Sequence, residues 1–348
     1  MSPFTQMFLF IALGIGTTVT LTSSHWLLAW MGLEVSTLAI APLMARKHHP
    51  RAIEATTKYF LAQATAAAVL LFASVSNAWL SGQWEISQMT HPLPTSLIIL
   101  ALTLKLGLAP FHGWLPEVLQ GLDLTMGLVL STWQKLAPFA LLYQISPSTP
   151  ALLTTLALLS MMVGGWGGLN QTQLRKILAY SSIAHLGWMA LVLQYSPSLT
   201  ILALAIYLIM TATMFMALKL LDSTSMNKLA ISWTKAPLVS LLLPLVLLSL
   251  AGLPPLTGFA PKWMILQELS TQGLPVVATI AALTALLSLF FYLRVSYAVV
   301  LTISPATTPT IARWRLDSSF PTFFLAALLI GTLSLLPLAP LLLALTST

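Results

Sequence analysis

The chain has 348 residues, 57% hydrophobic and 7% charged, with mean hydropathy +0.91, formal net charge +7 and no cysteine. Soluble domains carry about 25% charged residues, so this composition excludes one. Together with apolar runs of ~18 residues or more, it specifies a polytopic membrane protein. The missing thiols exclude disulfides, thiolate catalysis, cysteine-bound zinc and iron–sulfur clusters, so any redox chemistry belongs to a partner.

The pattern predicts eleven spans: 3–22, 25–45, 57–80, 96–119, 125–145, 151–169, 174–194, 199–221, 237–270, 275–303 and 322–346. Backbone groups in lipid must find partners within the protein, and the runs lack strict alternation, so the spans are helices and not barrel strands. The first span has no basic residue before Arg46 and no small-residue cleavage site, which reads as a retained helix and not a leader. Turn-rich separators follow: SSH at 23–25, MARKHHPR at 44–51, SGQWE at 81–85, SPSTP at 146–150, NQTQ at 170–173 and YSPS at 195–198. Trp26, Trp30, Trp79 and Trp84 fall near span ends and read as interfacial anchors. No loop exceeds ~20 residues, a length too short for a separate soluble domain, so residues 1–348 form a single transmembrane domain.

Loop charge sets the orientation. Number each loop by the span before it. The even loops and adjoining helix ends hold Arg46, Lys47, Arg51, Lys58, Arg175, Lys176, Lys219, Lys228, Lys235, Arg313 and Arg315, and the odd loops hold no basic residue. This is a positive-inside pattern, with the N-terminus inside and the C-terminus outside.

The fourth span contains LKLGLAPFHGWLPE, residues 104–117, an unusual load for a membrane helix. It has a twin in the ninth. GLAPFHGWLP at 107–116 matches GLPPLTGFAP at 252–261 at Gly107/Gly252, Leu108/Leu253, Pro110/Pro255, Gly113/Gly258 and Pro116/Pro261, with Trp114 facing Phe259. Five spans separate the copies, an odd number, so this is an inverted repeat carrying two broken helices, a transporter signature. Proline lacks an N–H. Pro110, Pro116, Pro255 and Pro261 therefore free the carbonyls of Leu106, His112, Ala251 and Thr257. Such carbonyls need water, protein or an ion as partner.

Ionisable residues inside the spans are the candidate functional groups. Lys105, Lys135, Lys262 and Arg294 lie outside the loops, and Glu34 sits near the middle of the second span. A charge at the bilayer centre costs about 2.5–3.5 kcal/mol on insertion scales. Burial disfavours a charge and an opposite charge nearby favours it, so a lysine whose carboxylate partner moves can gain or lose a proton. That is the elementary step of a proton relay. His112 and His185 lie within spans and suit a relay or a packing role. Arg294 reads as snorkelling, and Glu117, Glu268, Lys58 and Lys219 as solvated at span ends. Span directions place Lys105 and Lys262 outward of their breaks. No phosphate loop, dinucleotide fingerprint or metal cluster appears, and the His48–His49 pair has no acidic or thiol company.

Six segments carry a family resemblance: SSHWLLAWMGLEVSTLAIAPLM, ATTKYFLAQATAA, LKLGLAPFHGWLPEVLQG, STWQKLAPFALLYQ, GGLNQTQLRKILAYSSIAHLGWM and GLPPLTGFAPKW. In this order the chain resembles the antiporter-like membrane subunits of NADH–ubiquinone oxidoreductase, respiratory complex I. The eleven predicted spans, against the fourteen common in the family, resemble the animal mitochondrial form that lacks three N-terminal helices. The resemblance implies two inverted five-helix bundles and proton translocation driven by quinone reduction elsewhere. It implies a relay of Glu34, Lys105, Lys135 and Lys262, with His112 and His185 near the same axis. It implies a mitochondrial inner-membrane location, with the N-terminus on the matrix side and the C-terminus on the intermembrane-space side. Other membrane-arm subunits are the implied partners, including the neighbouring antiporter-like subunit 4 and the small subunit 4L, along with accessory subunits and lipids. This chain is expected to bind no cofactor and no metal, with NADH, FMN, iron–sulfur clusters and ubiquinone on other subunits. Two other readings are a subunit of a sodium/proton antiporter, which needs oxygen ligands where this chain has lysines, and a structural scaffold of the membrane arm.

Overall fold

The computed structural model describes residues 2–46, 48–89, 91–145, 150–234, 236–300, 322–340 and 344. Lys47, Lys235, Arg313 and Arg315, which contribute to the charge asymmetry above, lie outside the described residues. The described secondary structure is helical, with two isolated β-bridges, His25 to Glu85 and Gln173 to Ser225. The chain resolves into two compact units, Met1–Ser160 and Met161–Thr348.

The first unit begins with α1 (Pro3–Thr22), α2 (Trp26–Met44) and α3 (Pro50–Ser81). Side-chain caps set their starts. Ser2 accepts from the Thr5 amide, His25 from Leu27 and His49 from Arg51, each at 3.2 Å. His49 followed by proline at the first helical position starts α3 at Pro50, seven residues before the predicted boundary at 57. Small residues Gly16, Thr20, Gly32 and Ser36 let α1 and α2 approach closely. Large apolar side chains of α1 face outward, Phe4, Met7 and Phe8 among them. Trp79 is 87% exposed, as an anchor should be, but Trp26 is fully buried and belongs to the core. The Trp30 indole donates to the Ala67 carbonyl at 3.1 Å, and Trp84 stacks on His25 at 5.4 Å.

The predicted fourth span is two helices, α4 (Pro92–Leu106) and α5 (Trp114–Gly121). The predicted fifth span is also two, α6 (Leu124–Ser131) and α7 (Trp133–Gln144), an interruption the sequence reading did not anticipate. At the interruption Ser131 and Thr132 both donate to the Leu128 carbonyl, at 3.1 and 2.7 Å, a back-bonding that favours a bend, and Pro138 follows in α7. Lys135 follows in the first turn of α7.

α8 (Pro150–Gly168) passes from the first unit into the second. The second unit continues with α9 (Leu174–Val192), α10 (Pro197–Leu221), the short α11 (Met226–Ala230), α12 (Pro237–Ala251), α13 (Phe259–Thr271), α14 (Pro275–Val300) and α15 (Thr322–Ser334). α12 and α13 are the two halves of the predicted broken ninth span. Six helices, α1, α2, α3, α8, α10 and α14, are long and apolar enough to cross a membrane. The half-helices and α15 are shorter apolar segments.

Candidate functional site: two helix breaks and their lysines

Both breaks follow one backbone course. α4 ends at Gly107 (φ 78°) and α12 at Gly252 (φ 82°), each in the left-handed region that glycine enters without penalty. The Leu108 amide returns to the Thr103 carbonyl at 2.9 Å, and the Leu253 amide to Leu248 at 3.2 Å. This is the Schellman form of helix termination. Both breaks contain a cis X–Pro bond, Ala109–Pro110 and Pro254–Pro255. The interruption falls at the glycines, three residues before Pro110 and Pro255, because the left-handed turn has already ended the helix before a proline is reached.

The freed carbonyls find partners unequally. His112 and Thr257 accept from the amides of Leu115 and Ala260, so short turns absorb the second proline of each motif. At the first break Trp114 Nε1 donates to the Leu104 carbonyl at 3.1 Å, and Gln63 Nε2 to the Lys105 carbonyl at 3.3 Å. At the second break Lys262 Nζ itself donates to the carbonyls of Ala251, at 2.7 Å, and Leu250, at 3.3 Å. The Ala251 carbonyl is the one that Pro255 leaves without a helical donor.

In the first unit a cavity of about 10 Å³, close to one water sphere, brings Lys105 and Lys135 together. Thr37, Tyr59, Gln63 and Gln134 also line it. Lys105 and Lys135 are buried, at 4% and 3% exposure, deep enough that each needs a polar or charged neighbour. Lys105 Nζ makes no direct hydrogen bond among the described residues. Glu34 is half-buried and does not line the cavity; Thr37, which does, directs its hydroxyl to the Glu34 backbone carbonyl at 2.9 Å and to Oε2 at 3.4 Å. Glu34 is thus tied by a hydroxyl to a residue that shares the cavity with the two lysines. His112 does not line the cavity, and its Nδ1 meets the Pro110 carbonyl at 3.2 Å.

In the second unit a cavity of about 20 Å³ is lined by His185 of α9 and Lys262 of α13, with Trp188, Met189 and Met210. His185 also lies against Tyr207, ring centres 5.7 Å apart. Lys262 follows its break in the chain, and its amine turns back to the end of α12. Ser249 and Thr257 both donate to the Thr332 carbonyl, at 3.2 and 2.6 Å, fixing the second break to α15. Arg294 Nη1 donates to the Leu169 carbonyl at 2.6 Å, just past the end of α8. Lys58 and Glu117, read as solvated, pair at 2.7 Å, and Lys58 also meets Glu54 at 2.8 Å.

Thr37, Gln63, Gln134 and Trp114 were not singled out from the sequence. Gln63 and Gln134 carried a signal, since a mid-span amide must find partners. Nothing local marks Thr37, because the same bond from a hydroxyl to its own helix recurs in unbroken helices here, as at Thr17, Ser74 and Ser181. Among the described residues, no group of three or more His, Asp or Glu side chains is placed to hold a metal ion.

Family comparison decides the assignment. Residues 23–288 match the family model described as NADH:quinone oxidoreductase/Mrp antiporter, and residues 289–343 match NADH dehydrogenase subunit 2 C-terminus. The chain belongs to the NADH–ubiquinone oxidoreductase chain 2 family. It is 63% identical to that chain of Formosania lacustris, covering 99% of both, and 65% identical to that of Tetraodon nigroviridis, covering 98% of both. The fold matches a chain of respiratory complex I from Thermus thermophilus with TM-score 0.83 and 31% identity, covering 99% of this chain and 78% of that one. A chain of the Mrp complex from Dietzia gives TM-score 0.82 at 19% identity over 97% of this chain and 76% of that one, a likeness of fold alone.

Proposed function

We propose that this chain carries protons through a relay in which Glu34 and Lys105 form the first pair, Lys135 the connection and Lys262 the exit-side group. The chain is a membrane-arm, antiporter-like subunit of respiratory complex I, and so part of the NADH–ubiquinone oxidoreductase enzyme. On this reading the relay lies in the mitochondrial inner membrane, with the N-terminus and basic loops facing the matrix and the C-terminus the intermembrane space. The 348 residues act as one transmembrane domain. Antiporter-like subunit 4 and the small subunit 4L are its membrane-arm neighbours, and NADH, FMN, iron–sulfur clusters and ubiquinone belong to other subunits.

The observation that carries this reading is the cavity holding both Lys105 and Lys135, with Glu34 one hydroxyl away. A change of charge at Glu34 is felt at Lys105, so either group can pass its protonation state to the other. His185 beside Lys262 supports an accessory carrier in the second unit. His112 has the least support, being turned onto the Pro110 carbonyl. The test replaces Lys105 or Lys262 by methionine in the intact complex. NADH-driven proton pumping should fall by about 10²-fold, the scale of losing a positioned proton carrier, while native gels show normal assembly. Full pumping by both variants would leave only the scaffold reading.

A further inference from the structure

Lys262 has no carboxylate partner among the described residues, and the ion pairs described there belong to Lys58. Its amine instead caps the end of α12, at the carbonyls of Ala251 and Leu250. Helix C-termini carry a partial negative charge, so this end is a fixed counter-charge. The position exists because residue 252 is glycine. A Cβ there would stand 2.8 Å from Lys262 Cδ and 3.2 Å from its Cε and Nζ. The first break is built otherwise. A Cβ on Gly107 would meet Leu115 Cδ1 at 2.9 Å, with no lysine nearby, and the neutral indole of Trp114 occupies the Leu104 carbonyl. Its counterpart in the repeat, Phe259, has no side-chain N–H to give. Arg294 at the Leu169 carbonyl is a second part-buried cation of this unit held at a helix end.

We infer that Gly252 is a positioning residue for Lys262, and that the C-terminus of α12 serves this lysine as counter-charge in the place that Glu34 takes for Lys105. The two lysines then differ in kind. Lys105 faces a counter-charge that can itself be neutralised, and Lys262 faces one that cannot. A proton leaving Lys262 therefore requires its amine to swing off the α12 end, a movement of a flexible side chain and not of a helix. This inference rests on the relay reading for its functional consequence.

The test is a double-mutant cycle in the assembled complex, in sealed inner-membrane vesicles, with Gly252→Asn and Lys262→Ala. Asparagine tolerates the left-handed backbone but brings the Cβ that displaces the amine. Gly252→Asn should lower NADH-driven proton pumping at least about tenfold, the factor carried by one hydrogen bond to a charged group. Its loss of thermal stability should disappear on the Lys262→Ala background, because the colliding side chain is gone. If Gly252→Asn alone fails to assemble, recovery with Lys262→Ala supports the inference, and failure in both backgrounds overturns it. An equal loss of stability in both backgrounds also overturns it, since only the backbone would then need the glycine. Normal pumping by Gly252→Asn beside a dead Lys262→Ala overturns the positioning role and leaves the relay standing. Normal pumping by Lys262→Ala removes Lys262 from the relay, and the positioning role with it.

Discussion

Gln63 illustrates how much a single neutral side chain contributes at a helix break. It lies in the apolar run FLAQATAA, is 5% exposed, and donates to the backbone carbonyl of Lys105. Replacing it by leucine keeps the volume and leaves that carbonyl without its donor. The expected cost is about 1–3 kcal/mol, the usual penalty for a buried polar group left unpaired. A lowered melting temperature of the assembled complex would register it, and an unchanged one would mean that water serves the carbonyl equally well. Lys58 is the contrasting case. Its ion pairs with Glu54 and Glu117 are short but exposed, and such pairs are largely screened. Charge alone does not single out the candidates; burial does, since at Lys105 and Lys135 little solvent reaches the side chain to relieve the cost.

At the scale of elements, the two breaks are one design executed with different donors. Glycine ends the first half-helix, the chain runs through a cis X–Pro bond, and a second half-helix begins. At the second break the return is so close that a Cβ on Gly258 would stand 1.8 Å from the Ser249 carbonyl oxygen. Because glycine does the terminating, Gly107→Ala should destabilise the first break by about 1–2 kcal/mol through the left-handed backbone alone. Thermal release of the subunit from the complex would measure it. A neutral result would return the terminating role to Pro110. The third interruption, between α6 and α7, has no glycine and no proline at the site. There two hydroxyls share one carbonyl, and serines and threonines sit unremarkably in many unbroken helices, so nothing in the residue order marks it.

For the whole molecule, the charge asymmetry predicts sidedness, and the absence of cysteine makes it directly measurable. A cysteine placed at exposed Arg46 should react with a membrane-impermeant thiol reagent only from the matrix face. One placed at exposed Gln83 should react only from the opposite face. The reverse labelling, or labelling of both from one side, would overturn the positive-inside reading. Each unit carries its own break and its own lysine, Lys105 in the first and Lys262 in the second, so each can be perturbed separately.

Composition and period alone determined the membrane class, the number and approximate limits of the spans, the repeat, and the two broken helices. These follow from the cost of exposing a backbone to lipid, which is local and leaves a clear trace in residue order. The same physics exposed Glu34, Lys105, Lys135 and Lys262, because a charge amid hydrocarbon is conspicuous. The partner of each charge was a matter for the tertiary structure. Thr37 next to Glu34 and Gln63 at the Lys105 carbonyl depend on how helices face one another. So do the return of Lys262 to the end of α12, the hold of Arg294 on Leu169 and the burial of Trp26. Hydrogen bonds reach about three ångströms, and which atoms come within that reach is decided by packing, not by sequence spacing.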